Sequence, residues 1–251
     1  MSMNLLTAPD GNPKLAKSLK LNVLTSVLHL APYTLSGFNT CPMASEGCKK
    51  ACLNTAGRGG IIKKGEKTNA IQEARIRKTK LFYNDREEFF RLLVKDIETV
   101  IRKAKRENYD KVGIRLNGTS DIRFELYKFE GLTIFERFPE VQFYDYTKIH
   151  NRKHIPNNYH LTYSLCEDND DRALIALENG FNVAAVFRDE LPAYFLGREV
   201  INGDDHDYRP MDRKGVIVGL KAKGKAKKDT SGFVRDLDKD AIILVTEKGK
   251  E

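Results

Sequence analysis

With 251 residues and 41% hydrophobic content, the chain is long enough to bury a sizeable core without disulfide staples, which excludes a small cross-linked scaffold. Its net charge of +8 is unevenly held: residues 1–120 carry 22 Lys and Arg against 11 Asp and Glu, and the remainder carries 21 against 24. No run of about 18 apolar residues occurs, and MSMNLLTAPDGNPK lacks a basic region followed by an apolar one, so a soluble cytoplasmic protein with no membrane span is expected.

In chain order, LNVLTSVLHLAPYTL (Leu21–Leu35) is apolar and β-branched, and Pro32 and Gly37 mark its exit, which predicts a strand and then a loop. The segment FNTCPMASEGCKKACLNTAGRGG (Phe38–Gly60) follows. Helical spacing then runs from about Lys67 to Tyr83 and from about Asp85 to Glu107. In the second helix Phe89, Leu92, Leu93, Ile97, Val100 and Ile101 recur every three or four residues, with Asp85 as N-cap. Beyond Asn108 come short apolar segments, KVGIRL, VQFYDY, YHLTYSL, NVAAVF, EVI, GVIVGL and AIILV, with helical candidates at Leu126–Arg137 and Asn169–Asn179.

Strands apolar on both faces that alternate with helices predict an α/β fold with a largely parallel sheet. The stretches Tyr146–Tyr159 and Phe187–Glu199 are too short for full crossover helices, so an irregular or partial (β/α) barrel is expected rather than a regular eight-fold one. No linker divides the chain, so a single α/β domain over residues 1–251 is expected, with a cysteine loop and a basic helical segment near its N-terminus.

Cys41, Cys48 and Cys52 are spaced C-x6-C-x3-C within twelve residues, and in a reducing cytoplasm clustered thiols read as metal ligands rather than staples. Two centres suit them. A structural zinc ion needs a fourth ligand, from Cys166 or a histidine; an iron–sulfur cluster held by three cysteines leaves one iron open. The remaining alternative is unligated small hydrophobes.

Polar groups also fall at strand ends, where α/β folds bind ligands. RLNGTSDIRFE offers Asn117, Thr119, Ser120 and Asp121 around a glycine, either to hold a cofactor or to cap the following segment. FYDYTK offers Asp145 and Lys148, candidate catalytic groups together with Asp121. INGDDHDYRP contributes Asp204 in an acidic turn, and HNRKH (His150–His154) reads as a surface loop. In GLKAKGKAKKDTSGFV, Lys221 and Lys223 lead five lysines spaced by Ala and Gly, suited to phosphate or to plain solvation. Asn117, Ser120, Asp121, Asp145, Lys148, Asp204, Lys221 and Lys223 are expected to converge with the cysteine loop at one sheet edge. The basic front half points to nucleic acid as partner, with Arg75, Arg77, Lys78 and Lys80 as the surface, or to a solvated face.

Taken together, FNTCPMASEGCKKACLNTAGRG, RLNGTSDI, FYDYTK, NYHLTYS, NVAAVFR, INGDDHDYR and GLKAKGKA resemble an uncharacterised family of phage-encoded proteins, over about Leu15 to Val234. A looser resemblance is to radical SAM enzymes, in which three cysteines after the first strand of a partial or full barrel hold a [4Fe–4S] cluster whose open iron binds S-adenosylmethionine. Here the cysteines follow the first predicted strand, with C-x6-C-x3-C in place of C-x3-C-x2-C. The resemblance implies that RLNGTSD lies near the cofactor's amino group. It implies an iron–sulfur enzyme acting on a nucleotide or nucleic acid; the alternative is a non-catalytic nucleic-acid-binding protein with structural zinc.

Overall fold

The computed structural model describes residues 3–8 and 13–237. The strands are β1 (Leu6–Thr7), β2 (Val23–Leu28), β3 (Lys111–Arg115), β4 (Lys128–Phe129), β5 (Leu132–Thr133), β6 (Gln142–Thr147), β7 (Tyr159–Ser164), β8 (Asn182–Phe187), β9 (Tyr194–Phe195), β10 (Arg198–Asn202), β11 (Ile217–Lys221) and β12 (Val234–Arg235). The helices are α1 (Pro13–Ser18), α2 (Glu46–Lys50), α3 (Ala70–Asn84), α4 (Arg86–Arg106), α5 (Ile134–Arg137) and α6 (Asp170–Glu178). The apolar segment AIILV (241–245) lies outside the described residues.

Ten strands form one sheet in the order β1-β2-β3-β6-β7-β8-β11-β10-β9, with β12 beside β8. From β2 to β11 neighbouring strands are parallel and follow one another in chain order. A sheet that advances in one direction never reverses its strand order, so its helical crossovers fall on one side. They do: α4 packs Phe89, Phe90, Leu93 and Ile97 against Leu28, Ile114, Leu116, Phe143 and Leu161, and α6 packs Ala173 and Leu177 against Tyr163, Val183, Ala185 and Ile217. Among the described residues its end strands β1 and β9 are not paired with each other.

Local signals account for most boundaries. Asp85 caps α4 by accepting from Glu88 N at 3.1 Å, and Asn69 caps α3 by accepting from Gln72 N at 3.0 Å. The helix expected over Leu126–Arg137 is instead a short hairpin, β4–β5, followed by one turn of helix. The left-handed pair Glu130 (φ +50) and Gly131 (φ +83) breaks the periodicity, and α5 begins only at Thr133, whose capping box with Glu136 restarts the helix. No helix occupies residues 148–158, in keeping with the short connection expected there.

Side-chain alternation gives the sheet two unlike faces. The helix-covered face is largely apolar, with Asp145 and Thr147 as polar exceptions. The opposite face carries Thr25, Arg115, Tyr144, Tyr146, His160 and Thr162 and is crossed by the strap 203–214. There Tyr208 packs on Tyr144 and on Gly113, where a Cβ would lie 2.9 Å from the tyrosine ring, and Asp207 takes Arg115 at 3.2 Å and the Tyr144 hydroxyl at 3.2 Å. Arg209, fully buried, pairs with Asp212 at 3.2 Å. Of the acidic turn in INGDDHDYRP, Asp207 is the carboxylate that turns inward to Arg115 of the polar face.

Candidate metal centre

The cysteine segment leaves the carboxyl end of β2 and lies over the same edge of the sheet as the loops after β3, β6, β7 and β11. Each of these loops touches it. Asp121 N donates to Thr40 O at 2.8 Å, and the Cys41 thiol lies 3.9 Å from Thr119 O, to which it donates. From the loop after β7, Glu167 accepts from Ser45 Oγ at 2.7 Å and from Gly47 N at 2.6 Å. Ser45 in turn caps α2 by accepting from Cys48 N at 3.2 Å. Gly224, after β11, lies flush against the segment: a Cβ there would sit 3.2 Å from Ala56 Cα.

The three thiols share one environment. All are half-buried, each of Cys41 and Cys52 lies within electrostatic reach of Cys48, and Cys52 of Cys41. Burial pushes the Cys52 thiol up to about 11 and raises that of Cys41. Among the described residues no group of three or more His, Cys, Asp or Glu side chains is disposed to hold a single metal ion. Cations surround the thiols. Arg75 acts on Cys52 and donates to Asn54 Oδ1 at 2.5 Å, while Lys148 lies within electrostatic reach of Cys48, Cys166 and Asp121. Burial alone would lower the Lys148 pKa; the two thiols and the carboxylate outweigh it and hold the ammonium form.

The polar residues of RLNGTSD are largely occupied with their own turn. Asn117 donates through Nδ2 to Ile122 O at 3.0 Å and accepts at Oδ1 from Ser120 Oγ and Ile122 N, each at 2.8 Å. Thr119 Oγ1 donates to Leu30 O at 2.6 Å. Asp121 does not cap a helix; it accepts from Thr147 Oγ1 and Lys148 N, each at 2.8 Å, and burial raises its pKa against those bonds. What this turn presents to the thiols is backbone, through Thr119 O.

Asp145 lies on the helix-covered face with 0% exposure. It accepts from Leu116 N at 3.2 Å, Asn117 N at 2.8 Å and the Tyr159 hydroxyl at 2.9 Å, and burial still pushes its carboxyl up to about 6. That is the geometry of an acceptor that shapes the turn after β3. Asp204 stands beyond β10, where its carboxylate takes the Lys223 ammonium at 2.7 Å and the Lys221 backbone N–H at 3.1 Å. These three residues are tied to one another. The basic set on α3 divides: Arg75 turns toward the cysteine segment and Lys78 donates to Leu5 O at 2.7 Å, leaving Arg77 and Lys80 exposed.

Sequence reasoning did not single out Glu167 or His29. Glu167 follows the carboxyl end of β7, so the strand-end rule applied to YHLTYSLCED would have reached it. His29 follows β2, and burial, with Arg75, Arg115 and Lys78 nearby, pushes its pKa down to about 3.

A singly wound, largely parallel α/β sheet with a thiol-bearing loop over its carboxyl edge defines the class. Within that class, the chain belongs to the Gene product 88 family, whose sequence model matches residues 4–237 and fits the phage-type family that the motif string resembles. No curated protein and no solved structure matches the chain. Among the described residues no helix is long and apolar enough to cross a membrane.

Proposed function

We propose that the protein is an iron–sulfur enzyme of radical SAM-like type, acting on a nucleotide or nucleic acid at the mouth of a partial (β/α) barrel. The observation that carries this reading is the gathering of Cys41, Cys48 and Cys52 in one loop over the carboxyl edge of the parallel run of strands. Parallel strands laid down in chain order, with helices on one face and natural right-handed twist, curl toward a barrel whose inner wall is the other face. Here that other face is the polar one.

A structural zinc ion would need a fourth ligand beside the three thiolates, whereas a cluster would not. A fourth sulfur is committed elsewhere, since Cys166 donates to Asp168 Oδ1 at 3.2 Å and faces the Lys148 ammonium. Three thiolates around a polynuclear centre would leave one iron open.

Bound there, the cluster would supply an electron to a sulfonium cofactor such as S-adenosylmethionine. The chain's own residues would do the rest. Lys148 and Arg75 offset the negative charge of the thiolates, and Glu167 holds the loop to the sheet. Asp121 and Asp145 keep the turns after β3 and β6 in place, as positioning residues. The substrate class rests on the lysines after β11 and is developed below.

Anaerobic purification tests the reading. Brown protein with about four irons and four acid-labile sulfides per chain, a reducible paramagnetic signal and release of 5′-deoxyadenosine from S-adenosylmethionine are expected. Colourless anaerobic protein with stoichiometric zinc would overturn it in favour of a structural zinc site.

A further inference from the structure

We propose that the cysteine segment and the lysine segment after β11 together form one surface for the phosphodiester backbone of a nucleic acid, so that the substrate is a polymer and not a free nucleotide. The inference rests on the reading above only in calling the ligand a substrate; the ligand class and its placement stand on charge and packing.

The two segments are 160 residues apart in sequence and adjacent in space. Ala222 and Ala226 are buried with Ala51 and Val234 in one small apolar cluster, and Gly224, at φ +56, abuts Thr55 and Ala56. This packing sorts the sequence KAKGKAKK. Alanines face the cysteine segment, so Lys221, Lys223, Lys225, Lys227 and Lys228 are all turned out and exposed. On the neighbouring stretch 57–67, Arg58, Lys63, Lys64 and Lys67 are exposed as well. Against these nine cations the two stretches hold a single carboxylate, Glu66. Asp204 engages one of the nine, Lys223.

Both stretches are built rather than loose. Asn69 Nδ2 donates to the carbonyls of Arg58, Gly59 and Ile61 at 3.2, 3.0 and 2.9 Å, and Gln72 Nε2 to Gly59 O at 2.8 Å. On the other side Arg188 donates to Lys227 O at 3.1 Å and Asp229 O at 2.9 Å. A fixed backbone presents the cations without first having to be ordered, which preserves binding energy. Their arrangement selects the ligand. A single phosphate group is held by donors that converge on one point, whereas these nine cations are spread over two stretches that meet where Gly224 abuts Thr55 and Ala56. A chain of phosphates matches that layout and gains from counterion release. The surface borders the half-buried thiols, so a strand lying on it would pass over the proposed centre.

The exposed Ile61 and Ile62 beside Lys63 and Lys64 would also suit an anionic membrane, and the test includes that outcome. Anisotropy of a labelled single-stranded oligonucleotide is measured with purified full-length protein, alongside a mononucleotide and phosphatidylserine vesicles. Oligonucleotide binding is expected, weakening about 50-fold between 50 and 200 mM salt if four phosphates are contacted. Lys63→Glu/Lys64→Glu/Lys225→Glu/Lys227→Glu should lose at least ten-fold in affinity, while Arg77→Glu/Lys80→Glu on α3 should leave it unchanged. Circular dichroism confirms that both variants are folded. The proposal fails if the oligonucleotide does not bind at low salt, if the mononucleotide competes as well as the polymer, if the four-fold reversal has no effect, or if only vesicles bind. Metal content and cofactor cleavage are read separately, so loss of this inference leaves the iron–sulfur reading standing, and the reverse also holds.

Discussion

Removing the Glu167 side chain should release the cysteine segment from the sheet. Glu167 accepts two short hydrogen bonds, from Ser45 Oγ at 2.7 Å and Gly47 N at 2.6 Å, and those donors sit at the start of α2. A hydrogen bond to a charged group contributes about 1.5–3 kcal/mol net, so Glu167→Ala should cost roughly 3 kcal/mol, less than a doubled figure because the two bonds share one carboxylate. Glu167→Gln keeps the shape and one oxygen but turns an N–H₂ toward a donor, so about half of that loss is expected. Ser45→Ala removes one partner and the cap of α2, about 1–2 kcal/mol. Because Ser45 and Glu167 share a bond, the double variant should be less destabilised than the sum of the two singles. Urea unfolding gives the energies, and amide hydrogen exchange over residues 45–52 gives the location, since opening there would precede global unfolding. If Glu167→Ala unfolds within about 0.5 kcal/mol of the parent and exchange in that segment is unchanged, the anchoring argument is wrong.

Gly47→Ala tests the same junction from the opposite direction: its Cβ would collide with Ser231 Oγ and lie 2.7 Å from Phe233 Cβ and 2.8 Å from Glu167 Oε2, so overpacking of about 1–3 kcal/mol is expected in thermal unfolding. Under the iron–sulfur reading, Cys48→Ala should lose the iron measured by elemental analysis whereas Cys166→Ala should retain it, because Cys166 is engaged with Asp168 and Lys148. Stability should fall on acidification. His29 and His160 are half-buried, and desolvation with nearby cations pushes their pKa values down to about 3 and about 4, so the unfolded chain takes up protons first and each histidine costs about 2 kcal/mol by about pH 5. Asp145, raised to about 6, binds its proton earlier in the folded state and returns about 1 kcal/mol, leaving a net loss of roughly 3 kcal/mol that calorimetry between about pH 7 and pH 5 would reveal or deny.

Patterning made the sheet legible before any coordinates. Segments such as VQFYDY, NVAAVF and GVIVGL are apolar on successive residues because helices cover one face and a strap covers the other, and β6, β8 and β11 form where they fall. The order of the strands is also implicit, since alternation of strand and crossover favours neighbours in chain order. What periodicity could not supply was the interruption of Leu126–Arg137. Its apolar residues keep helical spacing, and only the demand for left-handed backbone at Glu130 and Gly131 turns the chain back on itself. The charge asymmetry was legible as a total and misleading as a surface. Arg75 and Lys78 belong to the basic half by count, yet each spends its charge on an internal partner.

The placement of site residues follows from two rules applied in sequence, and only the first is visible in spacing. A singly wound parallel sheet brings every strand's carboxyl end to one edge, which is why a loop at residue 48 can meet side chains at 148 and 167. The second rule is the two-residue alternation along each strand, which decides which of those side chains look at each other. On β6, Phe143, Asp145 and Thr147 point into the helix layer, while Tyr144, Tyr146 and, just past the strand, Lys148 point the other way. The same parity on β7 sends Tyr163 and Leu165 to the helices and Ser164 to the polar face. Exposure varies along the polar face: Thr25, Tyr144 and Thr162 are buried, whereas Arg115, Tyr146, Lys148 and Ser164 keep partial access to solvent. Asp145 and Lys148 are three residues apart and emerge from one strand end, yet parity assigns the carboxylate to shaping the turn and the ammonium to the thiols. Beside Arg75 from α3 and Asp121 from the loop after β3, a strand-borne group meant to act on a ligand beneath the cysteine loop would come from the even positions of β6 and β7 or from Arg115 on β3. Of the charged groups there, only Lys148 reaches the thiols from β6.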